Sequence, residues 1–290
     1  MLNLILGRAG YGKTDYCFNK ITSLAKGGNK DILLLTPEQY NFTAEKKLLY
    51  ALGESRINNV QNLSFTRLSN ELKRLYGGDP LPVLSKGAKA VLMKKAMESV
   101  KDDLNVFAKK TEIMSFITSM VDIYDEMKSC SKSWQEIKAA SESIDKKLLS
   151  GKLGDISKII EKYEQMIEGK YYDAADEFSR LYVKLYETSY LKGKTVFIDG
   201  FNGFVANEIK ILELIIRDSV DVYITLATDS FGNNDDYDLF AYINKTAASI
   251  IKIAENNGVP YRIVDLTENH RTDNKYLLTC EKEVFSQNGV

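Results

Sequence analysis

Histidine is almost missing from this 290-residue sequence. His270 stands alone, which leaves Cys–His or Ser–His catalysis and multi-histidine metal sites almost no material. Cysteine is scarce as well: Cys17, Cys130 and Cys280 are odd in number, far apart and without CxxC spacing, so they read as buried thiols and not as a disulfide framework or a zinc site. There are only 4 prolines, no low-complexity tract and no apolar run near the roughly 18 residues that a membrane span requires. Residues 1–6 run straight into glycines with no basic n-region and no small-residue cleavage site, so the expected location is cytoplasmic, with no membrane partner. A dominant charge is lacking too. With 39 basic against 40 acidic residues and a pI near 6.1, the chain is no dedicated basic nucleic-acid module, and a DNA groove would have to be built locally. The balance is uneven: residues 1–80 hold 11 Lys+Arg and 7 Asp+Glu, residues 81–194 hold 20 and 18, and residues 195–290 hold 8 and 15.

What is present is an ordinary globular composition, 44% hydrophobic with a mean hydropathy of −0.25. The length suits two modest domains or one large domain with an insertion. Apolar runs at residues 2–6 and 31–35 and a third strand candidate at 59–65 alternate with helical spacing over 12–25 and 42–52 and through Leu68, Leu72 and Leu75. The helices are closed by Gly27-Gly28, Gly53 and Gly77-Gly78. From about residue 85 strand signals vanish, and helices are expected around Val91–Met97 and Ile113–Met127, then over 134–149, 156–167 and 174–190. Their Lys/Glu-rich faces read as solvated surface. Strand patterns return at 194–201, 220–226 and 261–266, separated by helices over 208–217 and 246–256. Continuous apolar strands between amphipathic helices predict a parallel α/β sheet covered on both faces and interrupted by a helical insertion. The expected parts are residues 1–84, 85–193 and 194–290.

The most specific motif is Gly7-Arg8-Ala9-Gly10-Tyr11-Gly12-Lys13-Thr14. Glycines let backbone N–H groups turn inward around phosphate oxygens, a lysine supplies a cation to the β- and γ-phosphates, and a Thr hydroxyl reaches Mg²⁺. The following helix adds the positive end of its dipole. Such spacing arises by chance in roughly one chain in a hundred of this length, and here it directly follows a strand and precedes a helix. Gly7, Ala9, Gly10, Tyr11, Gly12, Lys13 and Thr14 are therefore the candidate ATP-phosphate residues, with Thr14 on the metal. A second acid at the end of a neighbouring buried strand would complete the Mg²⁺ site, and Val196-Phe197-Ile198-Asp199 supplies it. The next position, where hydrolysing P-loop motors place a glutamate, is Gly200, and the nearest acid downstream is Glu208. Nucleotide binding is expected, fast hydrolysis is not.

Taken together, the P-loop, Thr36-Pro37-Glu38-Gln39, Leu63-Ser64-Phe65-Thr66-Arg67-Leu68 and Phe197-Ile198-Asp199-Gly200-Phe201 resemble motifs I, Ia, Ib and II of superfamily 1 helicases. Their wording is most similar to the helicase-like AddB (RexB) component of the bacterial AddAB (RexAB) helicase–exonuclease. The resemblance spans most of the chain and implies a RecA-like P-loop NTPase sheet with the helical block as an inserted 1B subdomain. It also implies that Pro37, Glu38, Gln39, Ser64, Phe65, Thr66 and Arg67 line a single-stranded DNA path, Phe65 stacking on a base and Arg67 meeting a phosphate. From the residues alone, Phe65 is equally well a core ring, and Arg67 a cap of its own helix. Glu268-Asn269-His270-Arg271 resembles the motif-IV pattern, which would make Arg271 a γ-phosphate contact. The implied partners are DNA ends, single-stranded DNA and an AddA-type motor and nuclease subunit.

The departures are equally informative. Motif II lacks its glutamate, no adenine-reading glutamine precedes the first strand, and motifs V and VI are absent. So is the nuclease domain with its iron–sulfur cluster, which the resemblance places in a C-terminal part. The chain thus reads as the N-terminal portion of a longer protein that alone neither unwinds nor cuts DNA. Two other readings stay open: a P-loop kinase or small-molecule ATPase with a helical lid, and a helicase-like scaffold that no longer binds nucleotide.

Overall fold

The computed structural model describes residues 1–78, 81–228 and 239–283. It divides into two compact units, one holding Met1–Leu72, Leu181–Phe204 and the chain from Glu208, the other Lys73–Arg180 with Val205–Asn207. Residues 181–193 fall in the first unit, where Leu181, Leu185, Tyr190 and Leu191 are buried and the Tyr190 hydroxyl donates to Gln61 at 2.9 Å. Among the described residues no helix is long and apolar enough to cross a membrane.

The first unit is an α/β fold of the P-loop NTPase (RecA-like) kind. Six strands, β1 (Leu2–Leu6), β2 (Ile32–Leu35), β3 (Val60–Leu63), β4 (Thr195–Ile198), β5 (Asp221–Leu226) and β6 (Tyr261–Asp265), form one sheet in the order β3-β2-β4-β5-β1-β6. Every pairing is parallel. The run Leu2-Asn3-Leu4-Ile5-Leu6 is buried throughout, as a strand covered on both faces must be. Its one polar residue, Asn3, is satisfied by the Val222 carbonyl at 3.2 Å and by the Arg262 guanidinium. On one face Ile5, Ile32, Leu34, Phe197 and Tyr223 pack with Cys17, Phe18 and Ile21 of α1 (Lys13–Lys26) and Ala44 and Leu48 of α2 (Asn41–Leu52). The alternate residues Leu33, Val196, Ile198, Val222 and Ile224 point to the other face and are equally buried. The unit also contains α10 (Ala241–Asn256), α11 (Lys275–Glu283), most of α3 (Phe65–Tyr76) and of α9 (Ala206–Asp218), and the second half of α8 (Glu177–Glu187). Because all strands run the same way, the loops that leave Leu6, Leu35, Leu63, Ile198, Leu226 and Asp265 gather along one carboxyl edge, where α/β sheets bind ligands.

The second unit is helical, with α4 (Lys86–Ser99), α5 (Met114–Ser129), α6 (Trp134–Ser143) and α7 (Lys147–Ile167) around a core that includes Met93, Met97, Ile117, Met120, Tyr124, Ile159, Ile160 and Tyr163. The pattern over 134–149 and 156–167 suggests other boundaries than these. The break falls at Ile144, which is extended at φ −96 and ψ 122, and the second helix already starts at Lys147. At this end of α6, Ser141 and Ser143 donate their hydroxyls to the carbonyls of Lys138 and Ala140. The start of α6 is fixed by a reciprocal capping box between Ser133 and Glu136.

Two expectations require correction. Only Cys17 is a buried thiol; Cys130, at the C-cap of α5, and Cys280, on α11, are exposed because neither position faces a core. Nor are the lysine-rich helix faces uniformly solvated. Lys89 is 5% exposed, its ammonium held between Asp173 at 2.5 Å and Asp125 at 2.7 Å. Asp173 is itself buried and also accepts from the Tyr163 hydroxyl and the Ala175 amide.

Candidate phosphate-binding site

The loop after β1 makes its turn with two left-handed glycines, Gly10 at φ 87 and Gly12 at φ 77, a conformation that side chains with a Cβ rarely adopt. Gly12 is also the N-cap of α1, so Lys13 and Thr14 open the helix with its unsatisfied N–H groups facing the loop. Gly7 is buried, Thr14 is half-buried and Ala9 is exposed, while the Tyr11 ring packs inward at 7% exposure. The Lys13 ammonium folds back over the loop and donates to the carbonyls of Gly7 at 2.6 Å and Arg8 at 2.8 Å. Burial pulls its pKa below the ordinary lysine value, opposed by the nearby Asp199 carboxylate and reinforced by Arg271. The protein by itself thus leaves this amine's positive charge incompletely compensated.

Asp199 lies 1% exposed just past β4, its backbone N–H bonded to the Leu35 carbonyl. The strand carrying it is not beside the P-loop strand, contrary to the expectation of a neighbouring strand; β5 lies between them. Thr225, near the end of β5, spans the added strand: its hydroxyl donates to Asp199 Oδ1 at 2.6 Å. The second oxygen, Oδ2, is buried and has no hydrogen-bond partner among the described residues. An acceptor left in that state costs about 1–3 kcal/mol unless something fills it. Thr225 is not among the residues the sequence singles out, although a polar residue inside Ile224-Thr225-Leu226 is a usable signal. A Thr225→Val variant should lose about 1–3 kcal/mol in urea unfolding, since both Asp199 oxygens would then be orphaned; an unchanged midpoint would contradict that role.

Arg271 comes to the same place from the loop after β6. A Cβ placed on Gly10 would meet Arg271 Cβ at 2.9 Å and its Nε at 3.4 Å. The structure thus brings together Gly7 to Thr14, Asp199 and Arg271, with Thr225 added.

The candidate DNA segments lie along the same carboxyl edge but divide into exposed and buried parts. Thr36, fully buried, receives support from Asn62 and from the Leu63 carbonyl, and Pro37 then starts a short 3-10 turn over Glu38–Tyr40. Asn62 also donates to the Asn41 carbonyl at 2.9 Å, tying that turn to α2. Glu38, Gln39, Thr66 and Arg67 are exposed. Ser64 is buried and caps α3, accepting from the Arg67 amide at 3.2 Å. Phe65 is core: it is 5% exposed and packs on Phe201 with ring centroids 5.5 Å apart, so no base can stack on it in this conformation. The Arg67 guanidinium crosses to Glu45 at 2.9 Å and Glu38 at 3.7 Å instead of capping its own helix.

Gly200 has a positive φ of 83, with Pro37 Cδ only 3.4 Å from where a Cβ would stand. A glutamate at this position would be strained by about 1–3 kcal/mol.

A family model described as ADDB, N-terminal, matches residues 4–281. The chain is similar to proteins named as the B component of an ATP-dependent helicase/deoxyribonuclease. That of Thermoanaerobacter pseudethanolicus is 32% identical over 291 residues, covering 98% of this chain and 25% of the relative. That of Clostridioides difficile is 33% identical over 264 residues, covering 89% and 23%. That of Clostridium acetobutylicum is 30% identical over 259 residues, covering 89% and 22%. The chain therefore spans about a quarter of the length of the curated relatives it matches. With nearly its whole length inside the family model, and with an all-parallel sheet, the chain belongs to the AddB N-terminal family.

Proposed function

We propose that this chain is the nucleotide-binding, helicase-like region of the AddB component of an ATP-dependent helicase and nuclease, acting in the cytoplasm on DNA ends in double-strand-break repair and recombination. In this reading it holds ATP and Mg²⁺, binds single-stranded DNA and works beside an AddA-type motor and nuclease subunit. Any iron–sulfur cluster would belong to a C-terminal part of the longer protein.

The observation that carries the proposal is the buried, unpartnered Oδ2 of Asp199 near a lysine whose charge burial disfavours. A triphosphate with Mg²⁺ supplies what both lack, an anion for the ammonium and a hydrated cation for the carboxylate. Lys13 and the N–H groups of residues 10–14 would hold the phosphates, Thr14 and Asp199 the metal's shell, and Arg271 the outermost phosphate. When bound, the metal would neutralise phosphate charge. The chain's own part is to orient the phosphates and exclude water around them. Gly200 provides no carboxylate for activating a water, which supports weak or absent motor activity. On the DNA side, support comes from the exposed Gln39, Thr66 and Arg67 on the same edge of the sheet.

Titration with a fluorescent ATP analogue in the presence of Mg²⁺ should give saturable binding that weakens about tenfold when EDTA removes the metal. Absence of binding would favour the nucleotide-free scaffold, and binding indifferent to EDTA would remove Thr14 and Asp199 from the metal role.

A further inference from the structure

We infer that the segment after β6, residues 266–272, is a second wall of the nucleotide site, and that Asn269 ties this wall to α11 so that α11 is held in place by bound nucleotide. The inference rests on reading residues 7–14 as a nucleotide cradle, and it extends that reading to an element that senses occupancy.

The three glycines of the loop are each pressed by this segment. A Cβ on Gly7 would stand 3.0 Å from the Leu266 carbonyl oxygen, one on Gly10 would stand 2.9 Å from Arg271 Cβ, and one on Gly12 would stand 3.2 Å from His270 Cδ2. Gly10 and Gly12 need glycine for their positive φ as well, but Gly7 has no such φ. Its lack of a side chain is explained by the close approach of Leu266, whose N–H continues the β1–β6 ladder to the Leu6 carbonyl. The wall is also bonded to the loop, because the His270 N–H donates to the Gly10 carbonyl at 2.9 Å. This bond takes up a carbonyl of the loop and none of the N–H groups that would face phosphate.

Asn269 organises the wall from both ends of its amide. Its Oδ1 accepts the N–H groups of Arg271 at 2.7 Å and Thr272 at 3.4 Å, which fixes the turn that sets Arg271 over Gly10. Its Nδ2 donates to the carboxylate of Glu281, on α11, at 2.7 Å. The P-loop grips the same residue independently, through Arg8, whose guanidinium donates to the Glu281 carbonyl. Loop, wall and helix therefore meet at one residue of α11.

Electrostatics gives the coupling its sign. Arg271 and Lys13 converge on the cradle, where two like charges repel and the guanidinium helps lower the lysine's pKa. The wall is docked against this repulsion. A triphosphate placed between the two cations turns the repulsion into attraction, so nucleotide and the docked wall stabilise each other, and by linkage the stabilisation reaches α11 through Asn269 and Glu281.

Hydrogen–deuterium exchange with mass spectrometry, on the chain with and without a non-hydrolysable ATP analogue and Mg²⁺, reads this directly. Exchange over residues 268–283 should slow about tenfold with nucleotide, alongside residues 13–26. In Asn269→Ala at saturating nucleotide, residues 13–26 should still be protected while the response of 275–283 falls severalfold, the Arg8 bond to the Glu281 carbonyl being the tie that remains. Glu281→Ala should reproduce this, and the double variant should add nothing further. Nucleotide-dependent protection of α1 with no change in 275–283 of the unmodified chain would overturn the inference and leave the cradle standing. No protection anywhere, with no binding of the fluorescent analogue, would overturn the cradle itself.

Discussion

Replacing Lys13 with alanine should weaken binding of an ATP analogue about a hundredfold without unfolding the protein. Charge-assisted hydrogen bonds contribute about 1.5–3 kcal/mol each, and an ammonium that reaches two phosphates loses two of them, so about 3 kcal/mol is a conservative total, equivalent to that factor. The folded state should tolerate the change, because the ammonium bonds to the Gly7 and Arg8 carbonyls while burial disfavours its charge. Alanine at the first position of α1 is also a strong helix former. Titration by fluorescence, with circular dichroism to verify the fold, decides the matter. Affinity within about twofold of the unmodified chain would mean that Lys13 faces no phosphate.

Replacing Lys89 with methionine should destabilise the helical unit by about 3–5 kcal/mol, the largest stability effect among the substitutions considered. The change removes the ammonium bonded to Asp173 and leaves that buried carboxylate uncompensated. Burial alone would lower the Lys89 pKa, but its hydrogen bonds to Asp125 and Asp173 outweigh burial and raise it. A raised lysine pKa stabilises the fold fully below the unfolded value of about 10.4 and loses that contribution as pH climbs through the folded value. The effect should therefore be present in full at neutral pH and fade only in strong alkali. The single tryptophan, Trp134, starts α6 in the same unit, so its fluorescence in a urea titration reports that unit specifically. Removing both charges, as Lys89→Met with Asp173→Asn, should recover much of the loss. A single variant as stable as the parent would mean that Asp173 finds another partner.

Much of the fold is legible in the sequence because parallel strands leave a simple mark. Leu2–Leu6, Ile32–Leu35, Thr195–Ile198 and Asp221–Leu226 are short, mostly apolar runs without strict alternation since both faces are covered, and the glycines at 27, 53 and 77 end helices where left-handed or irregular backbone is needed. The helical unit is less legible. Period separates α6 from α7 but misplaces the boundary: the break falls at Ile144, and α7 already starts at Lys147. Nor does composition distinguish Lys89 from its solvated neighbours, because a buried lysine is defined by the acids that fold against it. In the site, Phe65 carries two readings in sequence, and its contact with Phe201, brought from another strand's loop, decides for the core. Gly200 reads as a missing glutamate; its positive φ and the neighbouring Pro37 add that the backbone itself demands glycine there.

The candidate phosphate loop is written locally, since the spacing from Gly7 to Thr14 between a strand and a helix is complete within one short stretch of chain. The acid at the end of a buried strand, Asp199, is written in the same way. How the two meet is a matter of packing. The fold inserts β5 between their strands, bridges the gap with Thr225, leaves Asp199 Oδ2 without a partner among the described residues and lays the Leu266 to Arg271 segment across all three glycines. Strand order and close approach between distant segments arise from assembling the whole sheet, and no local pattern encodes them.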